Sequence, residues 1–104
     1  MIDISYRIFD LVASTNSLTK TAEIVHLTPS AVSHSLRKLE ERLGMQLVVR
    51  NRDGLRLTQY GQELIPHVRY ALKAEERLAL YLHFTMEDNP GLDEAVRERY
   101  QRLY

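Results

Sequence analysis

Four histidines and a serine–histidine pair are the side chains of this sequence that first suggest chemistry. The histidines are His26, His34, His67 and His83. They lack the close spacing of a metal-ligand set, and the chain contains no cysteine, which excludes thiolate sites and cysteine nucleophiles. Ser33 and His34 are neighbours in a predicted helix, where adjacent side chains point in different directions. We therefore expect no catalytic residue, no metal and no cofactor.

A second polar set has the spacing of one helix face. Its members, within Leu27–Gly44, are Ser30, Ser33, His34 and Arg37. Serine hydroxyls donate to or accept from several bases, and arginine favours a bidentate contact with guanine. The preceding Pro29 marks a helix N-terminus, whose free N–H groups and partial positive charge suit a phosphate. This polar face predicts contact with the bases or phosphates of a nucleic acid. The alternative is a face in solvent, with an ion pair between Arg37 and Glu41.

Three arginines cluster within seven positions farther along the chain. Arg50, Arg52 and Arg56 lie in and around a predicted hairpin turn, residues 51–54. Such a cluster suits a nucleic-acid backbone or a narrow minor groove, whereas the alternative is a solubilising hairpin. Lys38 and Thr19 complete the predicted contact set, although Thr19 has a competing interpretation as a solvated residue beside a helix cap.

Bulk composition describes an ordinary globular protein. The chain has 104 residues, 44% of them hydrophobic and 27% charged, which suits one compact domain with an appendage. The first ten residues, MIDISYRIFD, do not form a secretory signal, and no apolar run is long enough to span a bilayer. We expect a cytoplasmic protein without a membrane partner.

Charge is distributed unevenly although the net charge is zero. The 14 basic residues balance the 14 acidic ones over the whole chain. Between Lys20 and Thr58, however, seven basic residues outnumber four acidic ones, whereas acidic residues predominate from Gly61 onward. A basic middle segment keeps a nucleic-acid partner compatible with zero net charge.

Three helices are predicted before the hairpin. The first begins at an Asp3 cap and buries Ile4, Ile8, Leu11 and Val12, until residues 14–17 break it. The second follows a Ser17 cap, with Leu18, Ala22 and Val25 inward. The third begins with Thr28 as cap, buries Val32, Leu36, Leu39 and Leu43, and ends at Gly44.

The hairpin and a long fourth helix follow. Strands are predicted at 46–50 and 55–58, with Leu47, Val49, Leu55 and Leu57 available for packing and the arginines in solvent. Thr58 then caps a helix to about Met86, in which Pro66 is expected to remove one hydrogen bond and to favour a bend. Its apolar stripe is Leu64, Val68, Leu72, Leu78 and Leu82. Because so small a domain cannot cover that stripe, we predict a partner helix.

The segment LTPSAVSHSLRKLEERLGMQLVVRNRDGLRLTQYG, residues 27–61, resembles the DNA-binding region of LysR-type transcriptional regulators. The similarity includes AVS at 31–33, LEERLG at 39–44, Leu47 with Arg50, and LT..G at 57–61. The aromatic residue common after that leucine is Val48 here. The family's effector-binding domain has no recognisable beginning in EDNPGLDEAVRERYQRLY, so we expect no small-molecule effector site.

The resemblance implies a mainly α fold and a DNA-binding function, without enzymatic activity. We predict a winged helix-turn-helix (three helices plus a two-stranded β wing) over 1–58, a long dimerisation helix over 59–87 and a short C-terminal helix over 88–104. The implied function is a homodimeric regulator that reads an inverted repeat in double-stranded DNA, with helix 29–43 in the major groove. A higher oligomer, or an interaction module that forms heterodimers with full-length relatives, is the alternative.

Overall fold

Four helices and one hairpin make up the computed structural model, which describes residues 2–52 and 54–86. The elements are α1 Ile4–Thr15, α2 Leu18–Val25, α3 Pro29–Leu43, β1 Val48–Asn51, β2 Gly54–Leu57 and α4 Gln59–Met86. This mainly helical arrangement confirms the predicted winged helix-turn-helix followed by a long helix. The chain divides into two compact units, Met1–Leu72 and Lys73–Tyr104. The predicted C-terminal helix, 88–104, lies outside the described residues.

The N-terminal caps of the first three helices are those that the sequence predicts. The side chains of Asp3, Ser17 and Thr28 each accept a hydrogen bond from a backbone N–H two or three residues farther on. Pro29 occupies the first position of α3, where its missing N–H has no helical partner to lose. Left-handed residues end the three helices, namely Asn16, His26 and Gly44.

The core lies between the first three helices, the hairpin and the beginning of α4. Its buried members are Ile8, Phe9, Val12, Ala22, Val32, Leu36, Leu39, Leu47, Leu55, Ile65 and Val68. The predicted stripe of α3 is confirmed, with Leu43 packed at its edge. The prediction for α1 is wrong at Ile4, which is 58% exposed, and it missed Phe9. The inward face of α1 is centred between Ile8 and Phe9, so Ile4 lies beyond its edge.

The hairpin is a two-stranded antiparallel sheet that begins two residues later than predicted. Val48 pairs with Leu57, and Val49 with Arg56. Since directly opposed residues share a face, Val48 packs toward the core and Val49 is exposed, contrary to the prediction for Val49. Leu47 is fully buried but lies before the strand.

Helix α4 begins against the hairpin. Thr58 Oγ1 accepts the Gly61 N–H at 3.1 Å and donates to the Gln46 carbonyl at 2.6 Å. Gly61 faces the Leu47 carbonyl so closely that a Cβ at this position would overlap the oxygen. The helix continues through Pro66 as one element. Within the described residues, no helix is long and apolar enough to cross a membrane.

Candidate nucleic-acid interface

The outer face of α3 carries most of the predicted contact residues. Pro29, Ser30, His34 and Arg37 are all exposed. No acidic residue occupies the first turn of the helix, so its N-terminal partial positive charge is not opposed locally. This face combines short hydroxyl groups, an imidazole and a guanidinium, a mixture that can hydrogen-bond base edges or phosphates.

Ser33 does not lie on that exposed face. Its side chain is on the flank of α3 nearest the hairpin, and the residue is only 9% exposed. The prediction of an exposed Ser33 is therefore wrong: the side chains of Arg37 and Arg50 both contact its hydroxyl. Its hydroxyl accepts a hydrogen bond from Arg37 Nη2 at 3.5 Å and another from Arg50 Nη2.

The three arginines of the hairpin lie in different positions. Arg50 is opposite Leu55 in the register, on the sheet face that packs toward the helices. Arg56 is opposite Val49, on the other face, and Arg52 occupies the turn. All three are exposed as predicted, but the face that Arg50 shares with Leu55 directs its guanidinium to Ser33 rather than straight to solvent.

Glu40 joins α3 to the hairpin and was missed by the sequence analysis. Its Oε2 accepts the backbone N–H of Leu47 at 2.7 Å and that of Val48 at 3.4 Å. These two amides lie where the chain enters β1, so the carboxylate fixes the start of the hairpin against the helix. The available signal was its position, adjacent to Leu39 and Leu43 at the edge of the apolar stripe.

Two other arginines are each neutralised by an aspartate and bound to a serine. Arg42 contacts Asp3 Oδ2 and Ser5 Oγ, at 3.0 and 2.7 Å. Arg69 contacts Asp10 Oδ1 and Ser14 Oγ, at 2.7 and 3.3 Å. These clusters tie α1 to α3 and α1 to α4, respectively.

The carboxylate of Asp3 is held in its charged form. The backbone N–H of Ser5 is the largest influence, followed by the Ser5 hydroxyl and Arg42, and together they lower the pKa of Asp3 below its ordinary 3.8.

The remaining predicted contact residues lie at the margins. Lys38 is exposed on the α3 flank that faces the N-terminus of α1, beside Asp3 and Arg42. Thr19 is exposed in the first turn of α2. In the described part of the chain, no three histidine or acidic side chains are grouped so that they could hold a metal ion.

The residues of the predicted dimer stripe of α4 differ in how far they are buried. Val68 is buried in the core of its own chain, and Leu64 and Leu72 pack against that core. Leu78 and Leu82 are half-buried. Large side chains are exposed elsewhere on α4, namely Tyr60, Tyr70, Leu80, Tyr81 and Phe84.

Comparison with known proteins identifies related sequences. Residues 5–62 match the family described as "Bacterial regulatory helix-turn-helix protein, lysR family". The uncharacterised HTH-type transcriptional regulator YvbU of Bacillus subtilis is 36% identical over 73 residues, which cover 69% of this chain and 25% of YvbU. The HTH-type transcriptional regulator HdfR of Salmonella newport is 43% identical over 56 residues, which cover 54% of this chain and 20% of HdfR. The matched region is thus at most a quarter of either relative.

Solved structures share the fold. The crystal structure of the BenM_DBD/catB site 1 DNA complex superposes with a TM-score of 0.78 at 23% identity, over 84% of this chain and 98% of that one. The LysR family transcriptional regulator CbnR gives a TM-score of 0.75 at 22% identity, over 82% of this chain and 29% of CbnR. At these identities the likeness concerns the fold alone.

Proposed function

We propose that this chain, which belongs to the lysR family of bacterial regulatory helix-turn-helix proteins, acts in the cytoplasm as a sequence-specific regulator of transcription. Family membership supports a DNA-binding regulator rather than an enzyme. The observation that carries the proposal is the exposed polar face of α3 beside a hairpin with three exposed arginines. Because α3 is the second helix of a helix-turn-helix, it is the element that enters the major groove in DNA-binding proteins of this class.

Helix α3 would meet the edges of the bases through its N-terminal half. Pro29, Ser30 and His34 are exposed there, and Arg37 lies one turn farther on, within reach of bases or phosphates. The free N–H groups at the helix N-terminus would add a phosphate contact. A related fold has been crystallised as a DNA complex, that of BenM_DBD, which is compatible with this assignment.

The hairpin and the margins of the domain would contact the DNA backbone. Arg50, Arg52 and Arg56 are the wing cations, and their positions on both sheet faces suit either phosphates or a narrow minor groove. Lys38 and Thr19 are exposed and would extend this set of backbone contacts. Such contacts position a protein on the duplex without reading its sequence.

A homodimer paired through α4 would place two copies of α3 on an inverted repeat. The large exposed side chains of this helix support a protein partner, because an isolated chain would leave them in water. Residues 1–58 would then act as the DNA-binding domain and 59–87 as the dimerisation helix. Two recognition helices would lie about one duplex turn, or a multiple of it, apart.

Binding to a pool of random duplexes tests this function. We expect fluorescence anisotropy to show binding at low salt that weakens steeply as salt is added, since phosphate contacts release counterions. Selection from genomic DNA should then return a symmetric motif. A chain that shows no affinity for any duplex at low salt would refute the proposal.

The exposed side chains of α4 also favour a second candidate, a module that pairs with full-length relatives. Native mass spectrometry of the chain mixed with such a relative distinguishes the two. Heterodimers support the module, whereas strict homodimers favour the homodimeric regulator.

A further inference from the structure

In the part of the chain that the structure describes, three clusters combine arginine with a serine hydroxyl, and one of them differs from the others. Arg42 with Ser5 and Arg69 with Ser14 each include an aspartate in ion-pair contact. In the third cluster, Ser33 is shared by Arg37 and Arg50. Within 2–52 and 54–86, no carboxylate forms an ion pair with either of these two arginines. We call this third group the Ser33 cluster.

The Ser33 cluster concentrates positive charge at one point. Both guanidiniums hydrogen-bond the same oxygen, so they lie side by side despite their mutual repulsion. Arg37 comes from α3 and Arg50 from β1, so the cluster spans the junction of helix and hairpin. Both arginines are exposed, whereas the serine beneath them is 9% exposed. A negatively charged group placed over the serine would meet donors from both elements.

We infer that Ser33, Arg37 and Arg50 form a single binding site for one backbone phosphate of duplex DNA. This inference rests on the proposed function and deepens it. A phosphodiester offers two non-bridging oxygens, which share one negative charge, to two guanidinium forks and offsets the repulsion between them. The Ser33 hydroxyl uses its two lone pairs for the arginines, which makes it a positioning residue for both. Base reading is then left to Ser30 and His34, the exposed polar residues on the outer face.

The geometry also explains why the serine is buried. A hydroxyl that only contacted a base would need to project from the outer face, as Ser30 does. Ser33 instead lies on the flank of α3, where Arg50 reaches its hydroxyl from the inner face of the sheet. The carboxylate of Glu40, on the same flank, fixes the entry to β1 and thus the distance that Arg50 must span.

The test is the salt dependence of DNA binding for single and double variants. The probes are a duplex selected from genomic DNA by the unaltered full chain and an unrelated duplex of equal length. The slope of log K against log salt changes by about 1 for each phosphate that the protein no longer neutralises. In the inferred site both guanidiniums are needed to hold the phosphate, so we expect Arg37→Ala and Arg50→Ala each to reduce the slope by about 1, and the double variant also by about 1. A reduction of about 2 in the double variant would mean two separate phosphates and would overturn the inference.

Ser33 variants test the positioning role. Ser33→Ala should weaken binding about tenfold on both duplexes, whereas Ser33→Thr, which keeps the hydroxyl, should restore most of it. A loss confined to the selected duplex would identify Ser33 as a base reader and contradict the inference. Ser14→Ala is the matched control, because its arginine has an aspartate partner, and it should leave the slope unchanged.

The outcomes separate this inference from the function on which it rests. If the unaltered chain binds no duplex at low salt, the proposed function fails. If it binds but the slope changes of Arg37→Ala and Arg50→Ala add, only the shared phosphate site fails. Thermal unfolding of each variant checks the fold; should Ser33→Ala unfold, the two exposed arginines still carry the test.

Discussion

The two flanks of helix α3 each bring arginine to a serine hydroxyl, but only one of them includes a carboxylate. On the flank toward α1, Arg42 contacts Ser5 and the carboxylate of Asp3. On the flank toward the hairpin, Arg37 and Arg50 contact Ser33. In the first arrangement the aspartate neutralises the arginine, and the contact ties two helices together. The second retains its positive charge, so it is suited to an external anion.

One helix therefore carries both a cation paired within the domain and a cation left for the proposed binding of DNA. Arg42 and Arg69, which tie helices together, are paired with aspartates, whereas Arg37 and Arg50 contact the hydroxyl of Ser33. A hydroxyl orients a guanidinium without neutralising it. Net charge of zero for the whole chain is therefore compatible with a local positive site.

Of the variants that test the difference between the two flanks, Gly61→Ala should have the largest effect. The new Cβ would overlap the Leu47 carbonyl oxygen, which also accepts the Thr58 N–H at 2.9 Å. Moving this backbone should destabilise the domain by about 3 kcal/mol and displace the hairpin flank first. Urea denaturation measures the loss of stability. Gly44→Ala is the control, since its Cβ would meet open space and only the left-handed φ of 69° opposes it.

Glu40→Ala should have the next largest effect, and it should act on the hairpin flank. The change leaves the N–H groups of Leu47 and Val48 without their carboxylate partner, which should cost about 2 kcal/mol of unfolding free energy. DNA affinity should fall on selected and unrelated duplexes alike, because Arg50 loses its fixed approach to Ser33. Glu41→Ala, one residue farther and exposed, is the control. Equal stability of the two variants would contradict this role of Glu40.

Arg42→Ala should produce a small loss of stability on the opposite flank. The ion pair with Asp3 is about half exposed, at 51% and 47%, so solvent weakens it. We expect the midpoint of thermal unfolding to fall by about 3 °C, with DNA affinity nearly unchanged. Arg50→Ala should show the reverse pattern in the same two measurements. Variants that lost stability and affinity in the same proportion would remove the distinction between the flanks.

A pH titration should give the smallest effect, confined to the α1 flank. Because the native pKa of Asp3 is lowered, its charge stabilises the fold above the ordinary value of 3.8. That contribution disappears as pH falls through the lowered pKa. Asp3→Asn keeps the helix cap but cannot ionise, so the unfolding midpoints of the two proteins should differ near neutral pH and converge below that pKa. A difference that persisted in acid would exclude the charge as its origin.

The sequence was sufficient to predict features of the fold that depend on neighbouring residues. It was not sufficient for features of the site that depend on packing between distant residues. Asp3, Ser17 and Thr28 act within one helical turn, so their types and positions were sufficient to predict the caps. The burial of Ser33 was not predictable, since it depends on how distant side chains, Arg50 among them, pack against this flank of α3.

Register explains the errors in the hairpin. The alternation in the sequence predicts Val49 in the core with Leu47, but the strand begins only at Val48, after Leu47. The amides of Leu47 and Val48 bond to Glu40 rather than to β2. A shift of one residue exchanges the two faces of a strand. That exchange turns Arg50 toward the helix, and no sequence pattern alone could have fixed it.

The most direct test compares Arg50→Ala with Arg42→Ala in salt titrations on one selected duplex. Both variants remove one exposed arginine that contacts a serine, so they change the net charge equally. We predict that Arg50→Ala reduces the slope of log K against log salt by about 1, whereas Arg42→Ala leaves it at the value of the unaltered chain. Equal slopes in the two variants would contradict the account, because they would show that the hairpin flank has no special part in binding DNA.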